Sequence, residues 1–318
     1  MLTSFLRKSN PVNYLLSFLI ISFFYGIFQF FVDSENLHGF KILEKSAILV
    51  LLCLSAFVLN HILLKEKSQT RNTFPIYLFS VFIITHWTIT ADYSIVIAGF
   101  FVILALRRMF AMTTGKFINK KIFDVFFFLS LASLFFPPAL FFMTIGFLAI
   151  FYFSPEDYRN WLIPFSAIIC VFVLKTSFDL LLKDQFFFPH QLYNFQIISE
   201  LNFCGVYCYL PVAILSLFTI WAWINVILTD LHITQTQKKA DLLLLMFFVV
   251  SLSVIAFSNN FTANLEASLF FTYIASALIG GRYFEISTKK SKKTKEILLI
   301  SLSVICVSSA VVSLWLSI

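Results

Sequence analysis

From Val12 to Val32 the chain runs without a charged residue, and apolar runs of this kind recur to the last residue. About twenty consecutive apolar residues are what a helix needs to cross the ~30 Å hydrocarbon core of a bilayer, where each backbone amide and carbonyl must find its partner within its own segment. A chain made of such runs has little choice but to form a bundle of helices. The runs lie at Val12 to Val32, Ser46 to Leu64, Phe74 to Thr90, Ser94 to Leu106, Phe123 to Phe136, Ala139 to Phe153, Trp161 to Leu182, Tyr209 to Leu228, Leu242 to Phe257, Ala267 to Phe284 and Ile297 to Ile318. They predict an all-α polytopic integral membrane bundle of about 11 transmembrane helices. The fifth and sixth runs, parted by Pro137 and Pro138, form either two crossings or a re-entrant hairpin, and both alternatives leave the later sidedness unchanged. Composition agrees, because 60% hydrophobic and 12% charged residues leave too little polar surface for a water-soluble globule, in which charged residues make up roughly a quarter. No charged or Gly/Ser/Pro-rich stretch is long enough to set off a soluble domain, so residues 1–318 read as one transmembrane domain.

The net charge of +7 does not indicate nucleic acid, which requires a basic face on a soluble fold. Lysine and arginine instead occupy the short polar gaps between runs, the pattern by which membrane orientation is set. An N-terminus in the cytoplasm places Arg7, Lys8, Lys65, Lys67, Arg71, Arg107, Arg108 and the "KKSKKTK" segment (Lys289 to Lys295) on one side, and leaves Lys41, Lys45 and Lys183 outside. The first run is too long for a signal-peptide core and lacks a small-x-small cleavage site, so it is expected to stay as an uncleaved span. This orientation sends "DSENLHGF" (Asp33 to Phe40), Asp92, the loop from Lys183 to Cys208 and "SNNFTANLE" (Ser258 to Glu266) to the extracytoplasmic face.

Four groups of residues are candidates for chemistry. Asp33 and Glu35 share a side of an extended segment and diverge on a helix; they form either a catalytic acid and metal ligand at a cavity mouth or a solvated helix end. Lys175 and Asp179 stand four residues apart inside an apolar run, where opposite charges meet on a helix and an intramembrane charge points to function, unless the lysine snorkels to the nearby interface. His86, in "THWTIT", either relays a proton and holds a polar substrate or is satisfied by a neighbouring helix. Arg107 and Arg108, in "LALRRMF", bind a lipid phosphate or anchor the topology.

The outer loop around "KDQFFFPHQLYNF" mixes Phe186, Phe187, Phe188 and Tyr193 with Asp184 and His190, a composition suited to lying in the membrane interface. Cys204 and Cys208 are the one close cysteine pair, and their spacing suits packing residues better than a disulfide or zinc site. Gly-rich nucleotide loops, GxSxG, CxxC and HExxH patterns do not occur, and inverted repeats of transporter type are not visible. No cofactor is expected; a shared divalent ion is compatible with the spacing of Asp33 and Glu35, but nothing else in the sequence supports one. The 43 phenylalanines against 8 glycines suggest helices packed by aromatic side chains more than by close small-residue contacts.

The opening "MLTSFLRKSNPVNYLL", the "ADYSIVIAGFFVILALRRMF" block, "KKIFDVFFFLSLASLFF" and "EDYRNWLIPF" resemble an uncharacterised inner-membrane protein family of Flavobacteria and other Bacteroidota. That resemblance implies a bacterial inner-membrane location. More distantly, the acidic residues just past the first span, the many uneven crossings, the span ending in Leu-Arg-Arg and the aromatic outer loop are similar to membrane glycosyltransferases of the C-type fold. This second resemblance implies transfer of sugar from a polyprenyl phosphate donor in envelope glycoconjugate assembly. Asp33 or Glu35 would serve as base, and His86, Lys175, Asp179, Arg107 and Arg108 would line the substrate site. The alternative is a non-enzymatic subunit or scaffold that packs other envelope proteins in assembly or export. Convergence of Asp33, Glu35, His86, Lys175 and Asp179 on a single cavity open to the outer leaflet would favour the enzyme, and scattered positions the subunit.

Overall fold

The computed structural model describes residues 2–7, 10–32, 39–63, 72–85, 93–155, 157–184, 186, 206–229, 235–258, 268–286 and 292–317. In chain order the helices are α1 (Leu2–Leu6), α2 (Pro11–Val32), α3 (Gly39–Leu63), α4 (Phe74–Thr85), α5 (Tyr93–Ala111), α6 (Ile118–Phe135), α7 (Met143–Phe153), α8 (Arg159–Lys183), α9 (Val206–Thr229), α10 (Gln235–Ser258), α11 (Leu269–Glu285) and α12 (Lys292–Ser317). Short 3₁₀ turns at Met112–Thr114 and Pro137–Phe142 precede α6 and α7. The described residues contain no strand. Helices α2 to α12 take up the eleven apolar runs one for one.

Six of these helices, α2, α3, α5, α8, α9 and α12, are long and apolar enough to cross a membrane among the described residues. The expected eleven crossings therefore divide into six long spans and a set of shorter or more polar partners. The division has a spatial counterpart. Helix α4 is buried at each of its 12 residues, and α11 is buried continuously from Leu269 to Arg282, as suits helices that are apolar all round. The two pack against each other at the centre, with α2, α3 and α12 around α4, and α5, α9 and α10 around α11. Helix α6 packs on α5, and α8 lies outside α6. Large apolar side chains point away from the bundle along the outer helices, among them Leu19 and Phe23 on α2, Phe165 and Ile169 on α8, and Leu217 and Leu228 on α9. An outer belt of this kind is what hydrocarbon covers in a membrane protein and what water penalises in a soluble one.

Glycine and phenylalanine pack together rather than as alternatives. A methyl group at Gly99 of α5 would stand 2.0 Å from the Phe270 ring of α11, and one at Gly146 of α7 would stand 2.8 Å from Phe126 of α6. Gly280 and Gly281 of α11 receive Leu78 and Pro75 of α4 in the same way. The bulky side chain of one helix thus fills the gap left by glycine on the next. The turn at Phe136 breaks α6 before Pro137 and Pro138, where φ −138° and ψ 98° are extended values and the residue before proline is driven out of the helical region. The 3₁₀ turn and α7 that follow run about 28 Å together, close to the ~27 Å of α6. This return leg leads back to the end where α6 began.

Candidate functional site

The helices alternate in direction, and side-chain contacts tie their ends into two layers. In one layer Asn13 of α2 donates through Nδ2 to the Phe5 carbonyl (2.9 Å) and to Thr73 Oγ1 (3.1 Å). Thr73, just before α4, donates to the Leu6 carbonyl at 2.8 Å, and Asn60 near the end of α3 donates to the Tyr14 hydroxyl at 2.8 Å. Lys239 at the start of α10 donates to the Tyr152 carbonyl at the end of α7, 2.8 Å away. The same layer holds the end of α5, the start of α6, the end of α11 and the start of α12. It contains Arg7, Arg107, Arg108, Lys121, Lys239, Arg282 and Lys295, and so forms a basic end. The opposite layer holds the end of α2, the start of α3 and the end of α8, with Lys45 and Lys175. There the Tyr25 hydroxyl donates to the Lys45 carbonyl at 3.0 Å.

Asp33, Glu35 and His86 lie outside the described residues, as do most of the outer loop and Cys204. Lys175 and Asp179 form the ion pair that their spacing predicts, with Nζ and Oδ1 2.8 Å apart. Asp179 falls on the seam that α8 turns toward α6, in line with the buried Asn160, Pro164, Ala167 and Val171. The Asp179 side chain keeps 8% of its exposure and Lys175 keeps 26%, and the Lys175 ammonium also stands 6.0 Å from the Phe178 ring centre. Arg107 and Arg108 are exposed at the opposite, basic end. Arg108 pairs with Asp124 of α6 at 3.0 Å, closing α5 onto α6 beside Lys121, which donates to the Ala111 carbonyl at 2.6 Å. The structure therefore does not bring Lys175 and Asp179 to Arg107 and Arg108. The two groups occupy opposite ends of the bundle.

Sequence reasoning missed the most deeply buried ion pair among the described residues. Arg282 of α11 donates through Nε to Asp241 Oδ1 (3.1 Å) and through Nη2 to Oδ2 (3.2 Å), and the two side chains keep 7% and 5% of their exposure. Both carboxylate oxygens are engaged by a planar fork, the arrangement in which an arginine pair is strongest. Trp223 of α9 donates its indole N–H to the Asp241 carbonyl at 3.2 Å. Lys295 of α12 donates to the Tyr283 carbonyl (2.6 Å) and to that of Ile286, capping the end of α11, and its ammonium stands 4.2 Å from the Tyr283 ring centre. Four helices, α9 to α12, meet at this node. A faint signal was present: Asp241 stands directly before the apolar run that begins at Leu242, as Glu266 and Glu296 stand before theirs, and Arg282 follows two glycines. Chemically the node is a clamp: Asp241 and Arg282 neutralise each other, and the Lys295 ammonium is met by two carbonyls.

Among the described residues no three His, Cys, Asp or Glu side chains gather as a metal site. A model for a family of unknown function, DUF6427, matches residues 2–312. No curated protein and no solved structure matches the chain.

Proposed function

We propose, for a chain that belongs to the DUF6427 family of unknown function, the role of a non-enzymatic membrane subunit that packs other envelope proteins. In this reading it sits in the bacterial inner membrane with its basic end in the cytoplasm. The supporting observation is the placement of its charges. Lys175 and Asp179 stand at one end and Arg107 and Arg108 at the other, and Arg108, Arg282 and Lys295 tie one helix to the next. Charge used in this way builds a rigid body. The surface offered to a partner is α8, which touches the bundle through α6 and α7 and turns Leu162, Phe165, Ile169 and Phe172 outward. Basic residues on one side orient such a body with that side inward.

One observation favours a second reading, transfer of sugar from a polyprenyl phosphate carrier. Phe28, Ile84 and Ala310 pack together, joining the last turns of α2 and α4. Asp33 follows α2 directly in the sequence and His86 follows α4. In this reading Asp33 is the base, with Glu35 as helper or ligand to a divalent ion.

The two readings separate in the native host when envelope glycolipids and glycoproteins are compared at equal protein levels. The subunit reading expects Asp33→Asn to match wild type. It expects the pair Phe165→Ala and Phe172→Ala to reproduce the defect of a full deletion. The reverse outcome, a deletion-like Asp33→Asn with a silent α8 pair, overturns the subunit in favour of transfer.

A further inference from the structure

Among the described residues a cavity of about 440 Å³ opens outward between α2 and α12, beside α4. Its floor is Tyr77, Val81 and Ile84 of α4, and its walls are Ile20 and Phe24 of α2 with Val304 and Val307 of α12. The Tyr77 hydroxyl pairs with Ser303, so the polar atoms of the floor satisfy each other and leave an apolar surface. Toward the basic end the opening is bounded by α1, which packs on α12 and buries Leu6. At the other end it is closed by Phe28, Ile84 and Ala310. The open stretch from Ser303 to Ser308 is about 8 Å long. It is too short to bed a partner helix of ~10–12 Å diameter along its axis. A single hydrocarbon chain fits such a slot.

Two further features fix the occupant. Ser303 lies about 12 Å along α12 from Lys295, so the slot sits near the middle of a ~30 Å hydrocarbon core whose edge is the basic end. At that edge Arg7 and Lys293 are exposed, and Arg7 stands within electrostatic reach of Lys295. On α12 the exposed Ile297 and Ile300 share the helix face of Val304 and Val307 and lead from these charges to the slot. We propose that the groove binds one acyl chain of an anionic phospholipid from the surrounding leaflet, with its phosphate held by Arg7 and Lys293. The site is independent of whether the chain is a subunit or a transferase.

The test uses the full-length protein in vesicles of phosphatidylethanolamine and phosphatidylglycerol in equal parts, the latter carrying a photoreactive diazirine near the end of one acyl chain. Labelled residues are read by mass spectrometry. Labelling is expected to concentrate on Ile20, Tyr77, Val81 and Val307. Filling the slot by Val307→Trp, or from the opposite wall by Ile20→Trp, should lower it about tenfold, equivalent to a decade of affinity, while labelling at Leu217 on α9 stays constant. Arg7→Gln with Lys293→Gln should weaken labelling by the phosphatidylglycerol probe and leave that by a phosphatidylcholine probe unchanged. Even labelling of the groove and α9, or persistence of the signal in both tryptophan variants, overturns the site. Equal labelling by the phosphatidylcholine probe overturns the anionic headgroup. Displacement by a polyprenyl phosphate but not by unlabelled phosphatidylglycerol overturns the phospholipid as occupant.

Discussion

The Asp241–Arg282 and Lys175–Asp179 pairs are built from the same kinds of charge at similar distances, 3.1 and 2.8 Å, yet they do different things. The first joins α10 to the central helix α11 across 41 residues of sequence, at the basic end of the bundle, with both partners shut away from solvent. The second closes within one turn of a peripheral helix, and its lysine keeps a quarter of its exposure. A charge that holds two helices together cannot be relieved without moving one of them. A charge on the rim can swing out to the interface on its own flexible stem. The structural weight of an ion pair here follows from what lies on either side of it, rather than from its length.

The sharpest way to break this comparison is at the buried pair. Arg282→Ala takes the guanidinium fork from the buried Asp241 carboxylate, and removal of one partner from a buried pair costs about 3–5 kcal/mol. Denaturation in mixed micelles of mild detergent and dodecyl sulfate should show that loss. The double variant Asp241→Leu with Arg282→Met removes both charges at similar volume and should recover most of the stability, since apolar replacements of buried pairs are often neutral or better. A double variant as unstable as Arg282→Ala would mean that the hydrogen-bonded fork itself, and not merely the avoidance of a lone buried charge, holds the node. Beside the pair, Gly281→Ala drives a methyl to 2.6 Å from the Pro75 ring. A proline ring cannot yield as a flexible chain would, so α11 must shift from α4, with an expected loss of about 1–3 kcal/mol on the same scale.

At the rim the expected effect is smaller. Asp179→Asn keeps shape and removes the charge, and the part-exposed Lys175 can then turn toward the interface. The loss should be about 1 kcal/mol or less, as for ion pairs with access to solvent. A loss matching that of Arg282→Ala would show that Lys175 is held in place by α6, and would restore the intramembrane pair as a functional candidate.

Much of this was legible in the sequence. The apolar runs foretold α2 to α12 because run length is itself the constraint on a spanning helix, and Lys175 and Asp179 were readable because their spacing of four is local. The central position of α4 and α11 was not legible from run length, since their runs are neither the longest nor the shortest of the eleven. The clue was the absence of charge through Phe74–Thr85 and from Leu269 to Gly281, together with the glycines at 280 and 281. Arg282 was absorbed by the orientation rule, which gives every basic residue at a helix end a sufficient explanation and so hides the one that is buried. Its partner Asp241 lies 41 positions away, and no periodicity links residues at that distance. Packing order, like this pair, depends on contacts between helices that the pattern within any one helix does not encode.

The smallest effect is expected at Arg108, which completes the series from core to surface. Its pair with Asp124 has nearly the distance of the buried one, 3.0 Å, and likewise joins two helices. Yet the side chains keep 49% and 34% of their exposure, so water and salt can replace either partner. Arg108→Ala should therefore lower stability by only about 0.2–1 kcal/mol. The loss should shrink as added salt shortens the screening length below the ~8 Å of physiological ionic strength. Arg282→Ala, measured over the same salt range, should keep its full effect because no counterion reaches the buried carboxylate. If both variants respond to salt alike, the buried pair is wetter than its burial implies, and the contrast between core clamp and surface clip fails.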